Sequence, residues 1–170
     1  METLKKDYLL SGIKVIDAAS FIAGPSAATI MSDYGAEVIK IEPQNGDSLR
    51  NLITNGRMPE GPENYCWELT SRNKKSVSLN LKDEKAHKIL IDLIKEADVF
   101  ITNMPFPIRK KLKITSEDIR PHNSKLIYAS LTGYGEVGPD ADRTAYDSVA
   151  WWARSGLMDF VRPSNNSPVA

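Results

Sequence analysis

The residues Gly133-Tyr134-Gly135-Glu136-Val137-Gly138 fit G-x-G-x-x-G and follow a predicted strand, a spacing that can cradle the phosphates of a dinucleotide. That chemistry needs the third glycine at the start of a helix, on the first strand of its unit. Here Pro139, Asp140 and Asp142 follow, and the strand is the last one predicted, so the glycines read instead as positive-φ positions in a tight loop. Ala23-Gly24-Pro25, after the first predicted strand, sets small residues where a ligand could approach the backbone. The same three residues fit a plain turn in which Pro25 takes the first helical position. Two runs of cations lie near strand or loop boundaries: Arg72, Lys74 and Lys75, then Arg109, Lys110, Lys111 and Lys113. Either run taken singly reads as a solvated face, while both together permit a ligand with several phosphates. His87 and His122 lack partners at metal-ligand spacing, no nucleophile motif is present, and Cys66 stands alone as a structural thiol. These residues lead to an anion-binding domain with no metal and no evident nucleophile.

The elements that must position such a site follow from periodicity. Ile13–Ile16, Val38–Ile41, Ser76–Leu79, Val99–Ile101 and Leu126–Leu131 are short β-branched runs bounded by turn residues, and read as buried strands. Asp83–Ala97 has helical spacing, with Ala86, Ile89, Leu90, Leu93 and Ile94 on one face. Pro25 opens a helix of small residues, and Ser116-Glu117-Asp118 resembles a helix cap with an acidic first turn. Alternation of this kind predicts an α/β fold with a parallel sheet, whose ligands settle at the carboxyl edge beside helix N-termini. Pro43–Glu68 reads as a long loop, and Tyr146–Leu157 as an apolar helix in need of a partner surface. Together with Met158, Phe160 and Val161 it is expected to leave Trp151 or Trp152 exposed. Lys and Arg number 22, as do Asp and Glu, so no overall field draws the chain of 170 residues to nucleic acid or an anionic membrane. Met1–Leu9 is polar, which predicts a cytoplasmic protein, and the polar loop Arg162–Ala170 reads as an interrupted end.

Ordered strings along the chain carry a resemblance: Leu10–Asp17, Ala23–Pro25, Gly35–Glu42, Gly46-Asp47, Arg72–Ser76, Ala97–Val99, Gly133–Gly135 and Tyr146-Asp147. In this order they resemble the class III coenzyme A transferases, a family that includes formyl-CoA and carnitine-CoA transferases and α-methylacyl-CoA racemases. The tract from Gly133 to Gly156 is most similar to the branch acting on 2-hydroxy acids. The resemblance implies a Rossmann-like large domain, of which residues 1–170 would be the N-terminal part, with the small domain and the C-terminal return absent. It implies CoA or acyl-CoA as substrate, a carboxylic acid as co-substrate, an interlinked homodimer, and no metal. CoA contacts are implied at Ile22 and Ala23, at Leu79, Asn80, Leu81 and Lys82, at Asn103, Met104 and Pro105, and at Lys111, Arg143 and Tyr146. Ile22, Pro43 and Met104-Pro105 depart from a glutamine, an arginine and a Phe-Gly pair of formyl-CoA transferase. The family's acylated aspartate would fall beyond the last residue, so no catalytic residue is expected here, and Asp147 is not that group. Tyr146 stands where the racemase branch has histidine, favouring transferase over racemase; a non-catalytic CoA-binding remnant is the other alternative.

Overall fold

β-Branched runs form strands where both faces can be covered, and here five of them assemble in parallel. The computed structural model describes residues 8–53 and 55–161. Strands β1 (Lys14–Asp17), β2 (Glu37–Glu42), β3 (Lys74–Ser78), β4 (Val99–Thr102) and β5 (Ile127–Ser130) lie in the order β3-β2-β1-β4-β5. The chain starts in mid-sheet, winds outward to β3, then returns to build β4 on the other side of β1. That reversal leaves a crevice between the carboxyl ends of β1 and β4, the place where sheets of this kind bind ligands.

Alternation along the strands sorts the core into two layers. Ile16, Ile41 and Phe100 face α3 (Glu84–Lys95), α4 (Phe106–Leu112) and α5 (Ser116–Ile119), meeting Leu90, Ile91, Ile94, Ile114 and Ile119. Val15, Val38, Val99 and Ile101 face α1 (Ala23–Asp33) and pack with Ala28. Helix α3 is capped by Asp83, whose carboxylate accepts from the Lys85 and Ala86 amides at 3.0 and 3.1 Å. Its buried face uses Ile91, whereas Ile89, placed on that face by the sequence spacing, is 48% exposed.

Several expected boundaries move for local reasons. β3 begins at Lys74 and is a half-exposed edge strand rather than a buried one. Helix α1 begins at Ala23, so Pro25 sits third, still within the first turn whose amides have no helical acceptor. Thr115, not Ser116, caps α5, in a reciprocal box with Asp118. The loop after β2 contains α2 (Tyr65–Ser71), capped by Asn64. Tyr146–Leu157 is a π-helix over Ser148–Ala153, a turn at Gly156 with φ +83, and then α6 (Leu157–Phe160). Trp151 on it is 63% exposed, and Tyr146, Val149, Phe160 and Val161 are exposed with it. The expectations for Met1–Asp7 and Arg162–Ala170 lie outside the described residues.

Gly24 is buried in the first turn of α1 because a side chain there would collide with its own chain: an added Cβ would lie 2.3 Å from Ala19 Cβ. The close approach that small residues permit at this turn is thus helix against turn, within the protein. Gly24→Ala is expected to lower stability by about 1–3 kcal/mol in chemical denaturation; an unmoved midpoint would mean that Ala19 gives way freely.

Candidate functional site

The carboxyl ends of β1 and β4 are tied by one side chain. Asn103 Oδ1 accepts from the Ser20 amide at 2.8 Å, while its Nδ2 donates to the Ser20 carbonyl at 2.7 Å. Beyond Ser20, Phe21 takes a left-handed backbone with φ +67, and Ile22 and Ala23 follow on the surface. The Phe21 ring stands 6.4 Å from that of Tyr146, tilted by 57°. Gly133 brings that partner in, since an added Cβ would meet Ala145 Cβ at 2.5 Å and Ala150 Cβ at 3.5 Å. The Tyr146 segment therefore lies across the carboxyl ends of β5 and β1, beside the crevice. Gly135 and Gly138, at φ +85 and +105, meet the expectation of positive φ; Gly133 is there for close packing. Glu136 fastens this loop, accepting from Ser130 Oγ at 2.5 Å and pairing at 2.6 Å with buried Arg109, which also donates to Tyr128 Oη at 3.2 Å.

Beneath the crevice lies a buried ionic cluster. Alternation turns Asp17 of β1, Lys40 and Glu42 of β2, and Lys74 and Ser76 of β3 to the face that α1 and α2 cover. Lys74 Nζ meets Asp17 Oδ2 at 2.9 Å and donates to the carbonyls of Pro25 and Thr70. Lys40 Nζ meets Asp47 Oδ2 at 3.1 Å and donates to the Ala19 carbonyl at 2.7 Å. Asp47 Oδ1 accepts from the amides of Leu49 at 2.8 Å and Phe21 at 3.3 Å. Glu42 takes a two-pronged bond from Arg50, whose guanidinium stacks 3.7 Å from the Trp67 ring of α2. Three carboxylates, Asp17, Glu42 and Asp47, thus face three cations, Lys40, Arg50 and Lys74. Burial lowers the affinity of Lys74 for its proton, against the opposing pull of Asp17. For Glu42 burial acts upward, but bonds from Arg50, Ser76 and the Asp47 amide, with the charge of Arg50, outweigh it and hold the carboxyl at about 2.

Of the two predicted cationic runs, only Lys74 enters this cluster. Arg72 pairs with Asp33 and Lys75 with Glu37, both at 2.6 Å, and Lys74 and Arg109 are buried, whereas Lys110, Lys111 and Lys113 face solvent as expected of a solvated run. Lys110 lies 5.4 Å from the Phe106 ring. Lys82, Lys111 and Lys113 are exposed, with no carboxylate partner among the described residues. His87 Nε2, in the first turn of α3, bonds the Lys113 carbonyl at 3.1 Å, which sets the end of α4 beside the segment leading from Lys82 into α3.

The structure therefore gathers Ile22, Ala23, Asn103, Met104, Pro105 and Tyr146 around the β1–β4 crevice. Leu79, Asn80, Leu81 and Lys82 stand at the carboxyl end of β3, on the side of Lys111. Leu79 is buried and Leu81 and Met104 pack on the core, so these three shape the edge from below. Arg143 is paired with Asp140 at 3.1 Å. Sequence reasoning missed the ionic cluster, although alternate charges at Lys40 and Glu42 within an apolar strand were its signal. Among the described residues no group of acidic, histidine or cysteine side chains could hold a metal ion.

The chain matches CoA-transferase family III over residues 10–170. It is 40% identical to the (R)-2-hydroxy-4-methylpentanoate CoA-transferase of Clostridioides difficile, over 94% of this chain and 40% of that one. It is 43% identical to the cinnamoyl-CoA:phenyllactate CoA-transferase of Clostridium sporogenes, over 94% of this chain and 39% of that one. A crystal structure of a CAIB/BAIF family protein from Brucella suis superposes with a TM-score of 0.83 at 30% identity, covering 97% of this chain and 44% of that one. The chain thus spans about two fifths of the length of these relatives.

The Glu42 carboxyl makes stability depend on acid. A depressed folded-state pKa contributes stability that is complete above the ordinary value of 4.5 and is lost as pH falls toward about 2. Glu42→Gln is expected to flatten the acid limb of the stability profile across that window, removing about 3 kcal/mol of pH dependence. A variant whose acid limb keeps the parental slope would show that the dependence arises elsewhere.

Proposed function

This chain belongs to CoA-transferase family III, and we propose on that premise that it forms the coenzyme-binding part of an enzyme moving CoA between an acyl-CoA and a carboxylic acid of the 2-hydroxy class. The observation that carries the proposal is the crevice at the β1–β4 reversal. Ile22 and Ala23 on one rim, Asn103 to Pro105 on the other and Tyr146 above make a narrow edge for an extended ligand. The exposure of Lys82, Lys111 and Lys113, the last near the start of α3, supports their reading as the cations for the ligand's phosphates. No arginine serves at Pro43, so phosphate recognition falls to these lysines.

Transfer by this route forms a mixed anhydride with an enzyme carboxylate as the CoA thiolate leaves; the thiolate then attacks the enzyme carbonyl, expelling the donor acid and leaving an enzyme–CoA thioester. The acceptor carboxylate displaces the thiolate to give a second anhydride, whose acyl group the thiolate takes as it frees the enzyme carboxylate. Asp17, Glu42 and Asp47 are unsuited to such acylation, each being buried and neutralised by a cation. Asp147 precedes the π-helix beside Tyr146 without a side-chain capping bond, and matches no family nucleophile. The 170-residue chain is accordingly assigned CoA binding and no transfer on its own. Its place would be within the large domain of an interlinked homodimer.

Two measurements follow. Lys111→Glu is expected to weaken CoA binding about tenfold in calorimetry, since reversing one charge beside a phosphate removes roughly 1.4 kcal/mol or more; parental affinity would contradict the assignment of Lys111. The purified chain is expected to show no acyl-CoA exchange above the uncatalysed rate, and turnover at ordinary enzymatic rates would contradict the absence of a nucleophile.

A further inference from the structure

Phe21 holds a backbone conformation that a bulky residue adopts only where its surroundings impose it. The imposing groups lie beneath the turn and are hidden from solvent. Asp17 Oδ1 accepts from the Ala19 amide at 3.1 Å, Lys40 Nζ donates to the Ala19 carbonyl at 2.7 Å, and Asp47 Oδ1 accepts from the Phe21 amide at 3.3 Å. Between them, Ser20 is held from the side by Asn103. Three consecutive peptide groups are therefore gripped, and Ile22 and Ala23, the next residues, face solvent.

Asp47 is itself aimed. Gly46 turns the chain at φ +78, the Asp47 amide donates to Glu42 Oε2 at 3.0 Å, and the Leu49 amide closes a local turn on the same carboxylate oxygen that receives Phe21. Its other oxygen meets Lys40, and the two side chains are 3% and 1% exposed. A pair that served stability alone could bond any nearby backbone. This one bonds the residues on either side of Ser20, at the turn that leads into the crevice.

We propose that Lys40 and Asp47 are positioning residues of the coenzyme edge: the buried pair holds the β1–α1 turn in its left-handed form, so that the backbone at Ile22 and Ala23 meets the ligand already shaped. The inference rests on the CoA-binding reading and concerns how that site is kept in order.

The test separates holding the turn from holding the fold. In Lys40→Met/Asp47→Leu a buried ion pair is exchanged for apolar side chains of similar size, which leaves no unpaired charge but removes the bonds to the Ala19 carbonyl and the Phe21 and Leu49 amides, so a lowered midpoint is expected. The readout is amide exchange at Ser20, whose own acceptor is Asn103 and which neither substitution touches. If the pair holds the turn, the double variant keeps a cooperative melt at a lowered midpoint, while under conditions where it is folded Ser20 exchanges about tenfold faster and CoA binds about tenfold more weakly in calorimetry. Asp47→Asn keeps an oxygen for the Phe21 amide but loses the charge facing Lys40, so both effects are expected at about threefold; this near-isosteric variant decides the matter if the double variant does not fold. Parental Ser20 exchange in whichever variant folds overturns the proposal. If the parental chain does not bind CoA, the coenzyme reading fails separately, and the exchange result still decides whether the pair holds the turn.

Discussion

Lys40 and Lys74 carry their charges inside the molecule, each with 1% of its side chain exposed, and the surrounding architecture answers to that constraint. A buried ammonium group is tolerable only with carboxylates and carbonyls arranged around it. Asp17 and Asp47 supply the charge, and Ala19, Pro25 and Thr70 supply the carbonyls. These groups come from β1, the turn after it, α1, α2 and the loop after β2, so the cluster fixes how five segments meet. It also fixes strand register. Slipping β2 by one residue would turn Lys40 and Glu42 into the layer occupied by Ile16, Ile41 and Phe100, where nothing could neutralise them.

The candidate site inherits its shape from this constraint. The turn after β1 is bonded from below by the cluster and from the side by Asn103, while Phe21 and Gly133 bring the Tyr146 segment across it. Buried, paired charges give a rigid support, and exposed lysines outside it remain available for an anion. That division explains why cations adjacent in sequence differ in role. Lys74 belongs to the cluster and Arg109 fastens the Glu136 loop, whereas Lys111, two residues after Arg109, is exposed.

Periodicity made the strands, α3 and the carboxyl edge legible in the sequence, because apolar alternation reports burial directly. It was less informative where polar residues are buried. Lys40, Glu42, Lys74 and Ser76 look like surface residues until their partners are known, and those partners lie elsewhere in the chain. Yet Leu10–Asp17, Gly35–Glu42, Gly46-Asp47 and Arg72–Ser76, which carried the family resemblance, contain much of this cluster. What resembled the family was in large part an ionic framework. The π-helix was beyond reach for a different reason: over six residues its period cannot be told from that of an α-helix. The capping residue of α5 was missed by one position, since Thr115 and Ser116 are chemically equivalent as caps.

The ionic cluster also bears on the order of events in folding. Its members at positions 17, 40, 47 and 74 can meet only where β1, β2 and β3 have paired, while the apolar layers can begin to associate without exact partners, because apolar burial is non-directional. An ammonium group leaves water at little cost only once its whole shell is ready, which places closure of the cluster after the main barrier. Substitutions there would then act on the rate of unfolding and leave the rate of folding nearly unchanged. A folding rate slowed in proportion to lost stability in Lys40→Met would contradict that order. If the order holds, the turn between β1 and α1 is the last part of this edge to set and the first to loosen, and the lifetime of the candidate site is shorter than the lifetime of the fold that carries it.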